Sequence, residues 1–119
     1  MYLRVDECEK ALENMSHAQQ LLKKPESSIF YSTAVIYNCL ADQVFLKKDK
    51  CGDYESIHFA SKEKELEAAN KHIELLAKAI ENYNEYVKME PNADDTQSVM
   101  NQIERNTAKI KSTKEKYSL

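Results

Sequence analysis

A chain of 119 residues with one glycine and two prolines is short of tight-turn material, which points to one domain of a few long helices with short joints. At 42% hydrophobic and 31% charged it is too apolar for wholesale disorder, and no run approaches the ~18 apolar residues of a membrane span. The net charge of -3 singles out no partner by itself, but Arg105, Lys109, Lys111, Lys114 and Lys116 face Glu115 alone, so an acidic body carries a basic tail.

The first segment, 3–24, spaces Val5, Cys8, Leu12, Met15 and Leu22 along one helical stripe, widened by Ala11, Ala18 and Leu21. Lys23 and Lys24 suit the negative end of its dipole, and Pro25 stops it. Ser27 or Ser28 is placed to cap a second helix reaching about Lys48. Its apolar residues, from Ile29 and Phe30 to Val44 and Phe45, cover a wide arc, so this helix should be central and packed by at least two others. The joint 47–53, KKDKCGD, holds the lone glycine, and Gly52 can take the positive φ that closes a helix.

The third segment carries a seam through Leu66, Ala69, Ile73, Leu76, Ile80, Tyr83 and Val87 in alternating steps of three and four. Tyr54, Ile57, Phe59 and Ala60 precede it. A helix starting at Tyr54 would run about 54 Å to Met89 and overhang its neighbours, unless it breaks near Ser61. Pro91 ends it, and Asp94 or Asp95 caps a fourth helix over 96–116, with Val99, Met100, Ile103 and Ile110 as its stripe and fraying expected beyond Ile110. The expectation is an all-α single domain, 1–119, of about four antiparallel helices with a long third helix.

AIENYNEYVKMEPN, from Ala79 to Asn92, resembles the second helix of a tetratricopeptide repeat, with Ala79, Ile80, Tyr83, Val87, Met89, Pro91 and Asn92 on matching positions. CGDYESI, from Cys51, is loosely similar to the start of such a helix. In that family the alanine permits close helix approach, the aromatic fills the gap between repeats and the proline sets the turn. The resemblance implies helical-hairpin packing as the alternative to a plain bundle. The likeness is partial and degenerate: Tyr86 stands where the pattern has alanine, Glu63, Glu67 and Asn70 fill aromatic or small positions, and no second 34-residue copy follows.

Chemistry-bearing constellations are sparse. Glu55 and His58 form one ExxH unit, but the second that a di-iron bundle needs is missing, and there is no HExxH or paired Cys/His spacing. No metal or other cofactor is therefore expected, and His17, His58 and His72 read as partly exposed on helix flanks. Glu63 and Glu67 read as a solvated face beside Lys62 and Lys71. With one glycine there is no phosphate cradle or nucleophile elbow, so the chain is not expected to be an enzyme. Cys8 and Cys39 on apolar faces read as reduced core thiols. With no apolar stretch in MYLRVDECEK, they give the expectation of a cytoplasmic protein.

What remains is an interaction role. Tyr86 points away from the Tyr83 seam and reads either as a partner anchor or as a ring half-covered by a neighbour. Arg105 and Lys109 are the basic candidates for a partner surface, although the basic residues are spread around the helix, so nucleic acid is not expected and the tail also reads as a solvated helix end. The reading is a non-enzymatic protein–protein interaction module (adaptor, chaperone or assembly subunit) that binds a protein, a peptide or a second copy of itself. The alternative is a small regulator or inhibitor docking on a nucleic-acid-processing enzyme through the acidic body or the basic C-terminal helix.

Overall fold

The computed structural model describes residues 5–21, 26–48 and 54–119. Four helices, α1 (Val5–Leu21), α2 (Ser27–Asp42), α3 (Lys62–Met89) and α4 (Thr96–Tyr117), pack into an all-α bundle. One small antiparallel ribbon, β1 (Leu46–Lys48) with β2 (Tyr54–Ser56), joins α2 to α3 in the register Leu46↔Ser56, Lys47↔Glu55 and Lys48↔Tyr54.

The 28-residue α3 is the long strut. At 1.5 Å per residue it spans about 42 Å; its part 62–71 reaches past the end of α2, where Ala41 meets His72, and is accompanied by α4, whose Tyr117 bonds Glu65. The third helix breaks at Ser61, whose Oγ accepts from the Lys64 N–H at 3.3 Å, while Glu63 and Glu65 meet the positive end of its dipole. Tyr54 lies in β2, and the Ile57 N–H bonds the Phe45 carbonyl at 2.8 Å instead of a helical partner.

α2 runs antiparallel to α3: Ser27 meets Glu90 at one end, and His72 meets Ala41 at the other. α4 runs back along α3, tied by Tyr86–Asp95 at one end and by Tyr117–Glu65 at the other. Among the described residues α1 packs against α2 alone. The core lies between α2, α3 and α4. One cluster joins Ala34, Ala79, Tyr83, Tyr86 and Val99; a second joins Ala41, Leu75 and Leu76, with Ile110 of α4 against it. Ala34, Ala41, Ala69 and Ala79 are fully covered, which lets the backbones of α2 and α3 approach closely.

Several expectations are corrected. The second helix ends at Asp42, short of Lys48, because Leu46–Lys48 spends its backbone groups on the ribbon. Neither serine caps it: Glu26 holds the N-cap position without a side-chain cap, and Ser27 Oγ donates to Glu90 Oε1 at 3.0 Å. Asp95 stands at the N-cap of α4, but its carboxylate accepts the Tyr86 hydroxyl and caps no helix N–H. α4 does not fray beyond Ile110, since Tyr117 hydrogen-bonds Glu65 and stacks on Phe45.

Cys8 and Cys39 are not reduced thiols; they form a disulfide that joins α1 to α2 across 31 positions. The structure gives no evidence of tetratricopeptide repeats, because α3 runs unbroken where a repeat would turn between its two helices. Lys23, Lys24, Pro25, Cys51 and Gly52 lie outside the described residues. No described helix is long and apolar enough to cross a membrane.

Candidate interaction site

At the end of the bundle where α2 begins, α3 ends and α4 begins, three tyrosines converge. Tyr31 of α2 meets Tyr83 edge-on at a ring distance of 6.1 Å and Tyr86 at 5.2 Å. Edge-to-face geometry aligns the positive ring rim with the negative face of its neighbour, so the group is held by direction as well as by burial. Tyr83 and Tyr86 are three apart on α3, and both are buried. Tyr86 is thus covered rather than exposed, because Tyr31 lies over its ring and its hydroxyl donates to Asp95 Oδ1 at 2.6 Å.

These surroundings set the acidity of the phenols. The Tyr86 pKa is pushed up to about 12, first by the hydrogen bond to Asp95, then by burial, then by the nearby negative charges of Asp95 and Glu90. Burial comes first for Tyr83, also pushed up to about 12, with Tyr31 and Asp42 adding to the rise and the Arg105 guanidinium opposing it. Both hydroxyls stay protonated through the physiological range.

Tyr31 remains 37% exposed. Beside it lies a groove of about 340 Å³, walled by Ser27, Ser28 and Ser32 of α2 and closed by Tyr86, Glu90 and Asp95. The turn after α3 places the two carboxylates. Glu90 is its C-cap, with its N–H on the Tyr86 carbonyl at 2.9 Å, and Thr96 Oγ1 donates to the Glu90 carbonyl at 3.0 Å. Among the described residues neither carboxylate has a cationic partner in an ion pair. Together they give the groove a net negative wall, hydroxyl groups and an aromatic edge, which is the chemistry that accepts an ammonium or guanidinium group.

The opposite end holds a second aromatic group. Phe45 is edge-on to Phe59 at 6.1 Å, stacked on Tyr117 at 6.4 Å and tilted against His72 at 5.3 Å. His72 Nδ1 lies 2.6 Å from the Ala41 carbonyl oxygen; a carbonyl only accepts, so Nδ1 carries the proton. His72 is therefore a buried tie between α3 and the end of α2, not a flank residue, whereas His17 and His58 are exposed. The Tyr117 hydroxyl is pushed up by burial and then by its bond to Glu65. Every partner in this group is internal, so it closes the bundle.

Of the two basic candidates, Lys109 is engaged within the fold, with Nζ 2.9 Å from Asp42 Oδ1 across the α2/α4 seam. Arg105 is exposed and has no ion pair among the described residues. Asp42 belongs to a polar line through Asn38, Gln102 and Asn106. Asn106 is fully buried and accepts from Gln102, but its Nδ2 has no partner among the described residues. Glu63, Glu67, Lys62 and Lys71 form an exposed face. The described residues bring no three His, Cys, Asp or Glu side chains together as a metal site.

Sequence reasoning missed Tyr31, Glu90 and Asp95 as one group. The available signal was an aromatic residue one position past the apolar stripe of α2, with serines at 27, 28 and 32 beside it. The comparisons add no ancestry: no family model matches this chain, and no curated protein or solved structure is significantly similar to it.

Proposed function

We propose that this chain is a non-enzymatic protein–protein interaction module, an adaptor, chaperone or assembly subunit, working at the groove beside Tyr31. The partner is a protein or peptide that presents a lysine or arginine side chain. The observation that carries the reading is the exposed Tyr31 ring, braced by two buried tyrosines beside Glu90 and Asp95, which have no ion-pair partner among the described residues. A braced aromatic costs little ordering entropy on binding, and aromatic anchors dominate interface energies. Ser27 and Tyr86 already hold the two carboxylates in place, which favours a preformed site.

Fluorescence anisotropy with labelled arginine-rich, lysine-rich and acidic peptides tests this. Basic peptides should bind the wild type, and the Tyr31→Ala, Glu90→Lys double variant should lose at least tenfold in affinity, roughly 1.4 kcal/mol. Basic peptides that bind both proteins equally, or neither, would sink the reading. Sedimentation tests whether a second copy is itself a partner. Imaging of the tagged native chain tests the accompanying expectation of a cytoplasmic location.

One observation favours the reading as a regulator of a nucleic-acid-processing enzyme. Lys111 and Lys114 flank Ile110 and the 47% exposed Leu119 along a shallow groove of about 550 Å³ on α4. Docking there would weaken steeply with added salt; salt-insensitive binding, unaffected by Lys111→Glu and Lys114→Glu, would dismiss it.

A further inference from the structure

Two faces of α2 are covered by different things. Ala34, Tyr37 and Ala41 pack into the clusters shared with α3 and α4. Ile29, Thr33 and Ile36 are equally buried but belong to neither cluster. Their spacing of four and three continues after three more residues to Cys39, the residue bonded to α1. The α1-facing stripe is therefore Ile29, Thr33, Ile36 and Cys39, about a quarter turn or more from the α3-facing one.

Among the described side chains of α1, those of 8–17, little is brought to that stripe. Of its described side chains only Cys8 is fully buried, while Ala11, Leu12 and Met15 are half-covered and Glu9, Lys10, Glu13, Asn14, Ser16 and His17 are exposed. A 17-residue helix is marginal when it stands alone in water, and this one touches no described element besides α2. The bundle of α2, α3 and α4, by contrast, has its own two clusters, and no described α1 side chain belongs to either.

We infer that the Cys8–Cys39 bridge is a redox latch: reduction by a dithiol frees α1 from α2 and uncovers the Ile29–Thr33–Ile36 stripe, while α2, α3 and α4 stay folded. Cys8 Sγ is buried and Cys39 is half-exposed, so a reductant thiolate attacks Cys39 Sγ and Cys8 leaves as the thiolate. The second thiol of the reductant then resolves the mixed disulfide. The dithiol becomes a disulfide, and its two electrons and two protons end on Cys8 and Cys39. The disulfide form of the dithiol reverses the sequence by taking the two electrons and two protons back, and α1, the occupant of the stripe, closes again.

Hydrogen-exchange mass spectrometry of the full chain, in a Cys51→Ser background so that only Cys8 and Cys39 react, tests this before and after dithiothreitol. Amides of 5–21 should exchange at least tenfold faster once reduced, with those of α3 and α4 within about threefold of their oxidised rates. The Cys8→Ala, Cys39→Ala variant should match the reduced protein in both conditions. Peptide mapping that finds no bridge in air-oxidised protein would overturn the inference. So would unchanged exchange of α1 on reduction, and so would all four helices loosening together, which would make the bridge a staple of the whole fold.

Discussion

Raising the pH through the tyrosine range should loosen this bundle well before its other groups account for it. Tyr83 is buried and its pKa is raised from 10.0 to about 12, so the folded state holds that proton more tightly than the unfolded chain does. A raised folded pKa means the stabilisation is fully present below pH 10 and is lost as pH climbs through about 12. At about 1.4 kcal/mol per unit the ceiling is about 2.7 kcal/mol, and solvent screening at the hydroxyl brings it to about 2 kcal/mol. Tyr86 and Tyr117 shift in the same direction and steepen the fall. Against a total of about 6–18 kcal/mol for a domain of this size, that is a substantial share. Urea unfolding followed by circular dichroism should show the midpoint dropping by about 1 M between pH 9 and about pH 12. Tyr83→Phe should recover a large part of the drop, having no proton to lose there. Near-ultraviolet tyrosinate absorbance supplies the independent check: titration of the folded protein should lag that of the urea-unfolded chain. Superimposable titrations, or a midpoint as pH-sensitive in Tyr83→Phe as in the wild type, would refute the argument.

Three further outcomes follow from the packing. Leu76→Ala removes a fully buried side chain between α2 and α4 and should cost about 3–4 kcal/mol in chemical denaturation at unchanged m-value. Ser61→Ala should cost about 1 kcal/mol, and amide exchange should rise only in the first turn of α3, where Lys64 loses its acceptor. Asn106→Leu replaces a buried amide whose Nδ2 has no partner among the described residues, so thermal unfolding should show a change within about 1 kcal/mol, in contrast to the larger loss a satisfied buried amide would give.

The helical character of this chain was legible in one dimension because it depends on neighbours three and four residues apart. Val99 and Ile110 of α4, and the seam through Ala69, Leu76 and Tyr83, read correctly for that reason: such periodicity pays off only on a helix. The span of α4, expected over 96–116, also lies close to the observed Thr96–Tyr117. Where two segments compete for the same group, local rules misled. Phe45 fits a helical stripe, yet its carbonyl is taken by Ile57 and its ring by Phe59 and Tyr117. Asp95 has the chemistry of a cap, yet the Tyr86 hydroxyl outbids the helix for its oxygen. Cys8 and Cys39 each read as a small apolar residue, and only the docking of α1 on α2 brings their sulfurs together. The candidate groove is of this second kind. Its ring comes from α2 and its carboxylates from the turn between α3 and α4, some sixty positions away in sequence, so no spacing along the chain could announce it. Periodicity decides which residues turn inward; which inward and edge residues meet depends on how the rods lie together, and that is a property of the packed bundle alone.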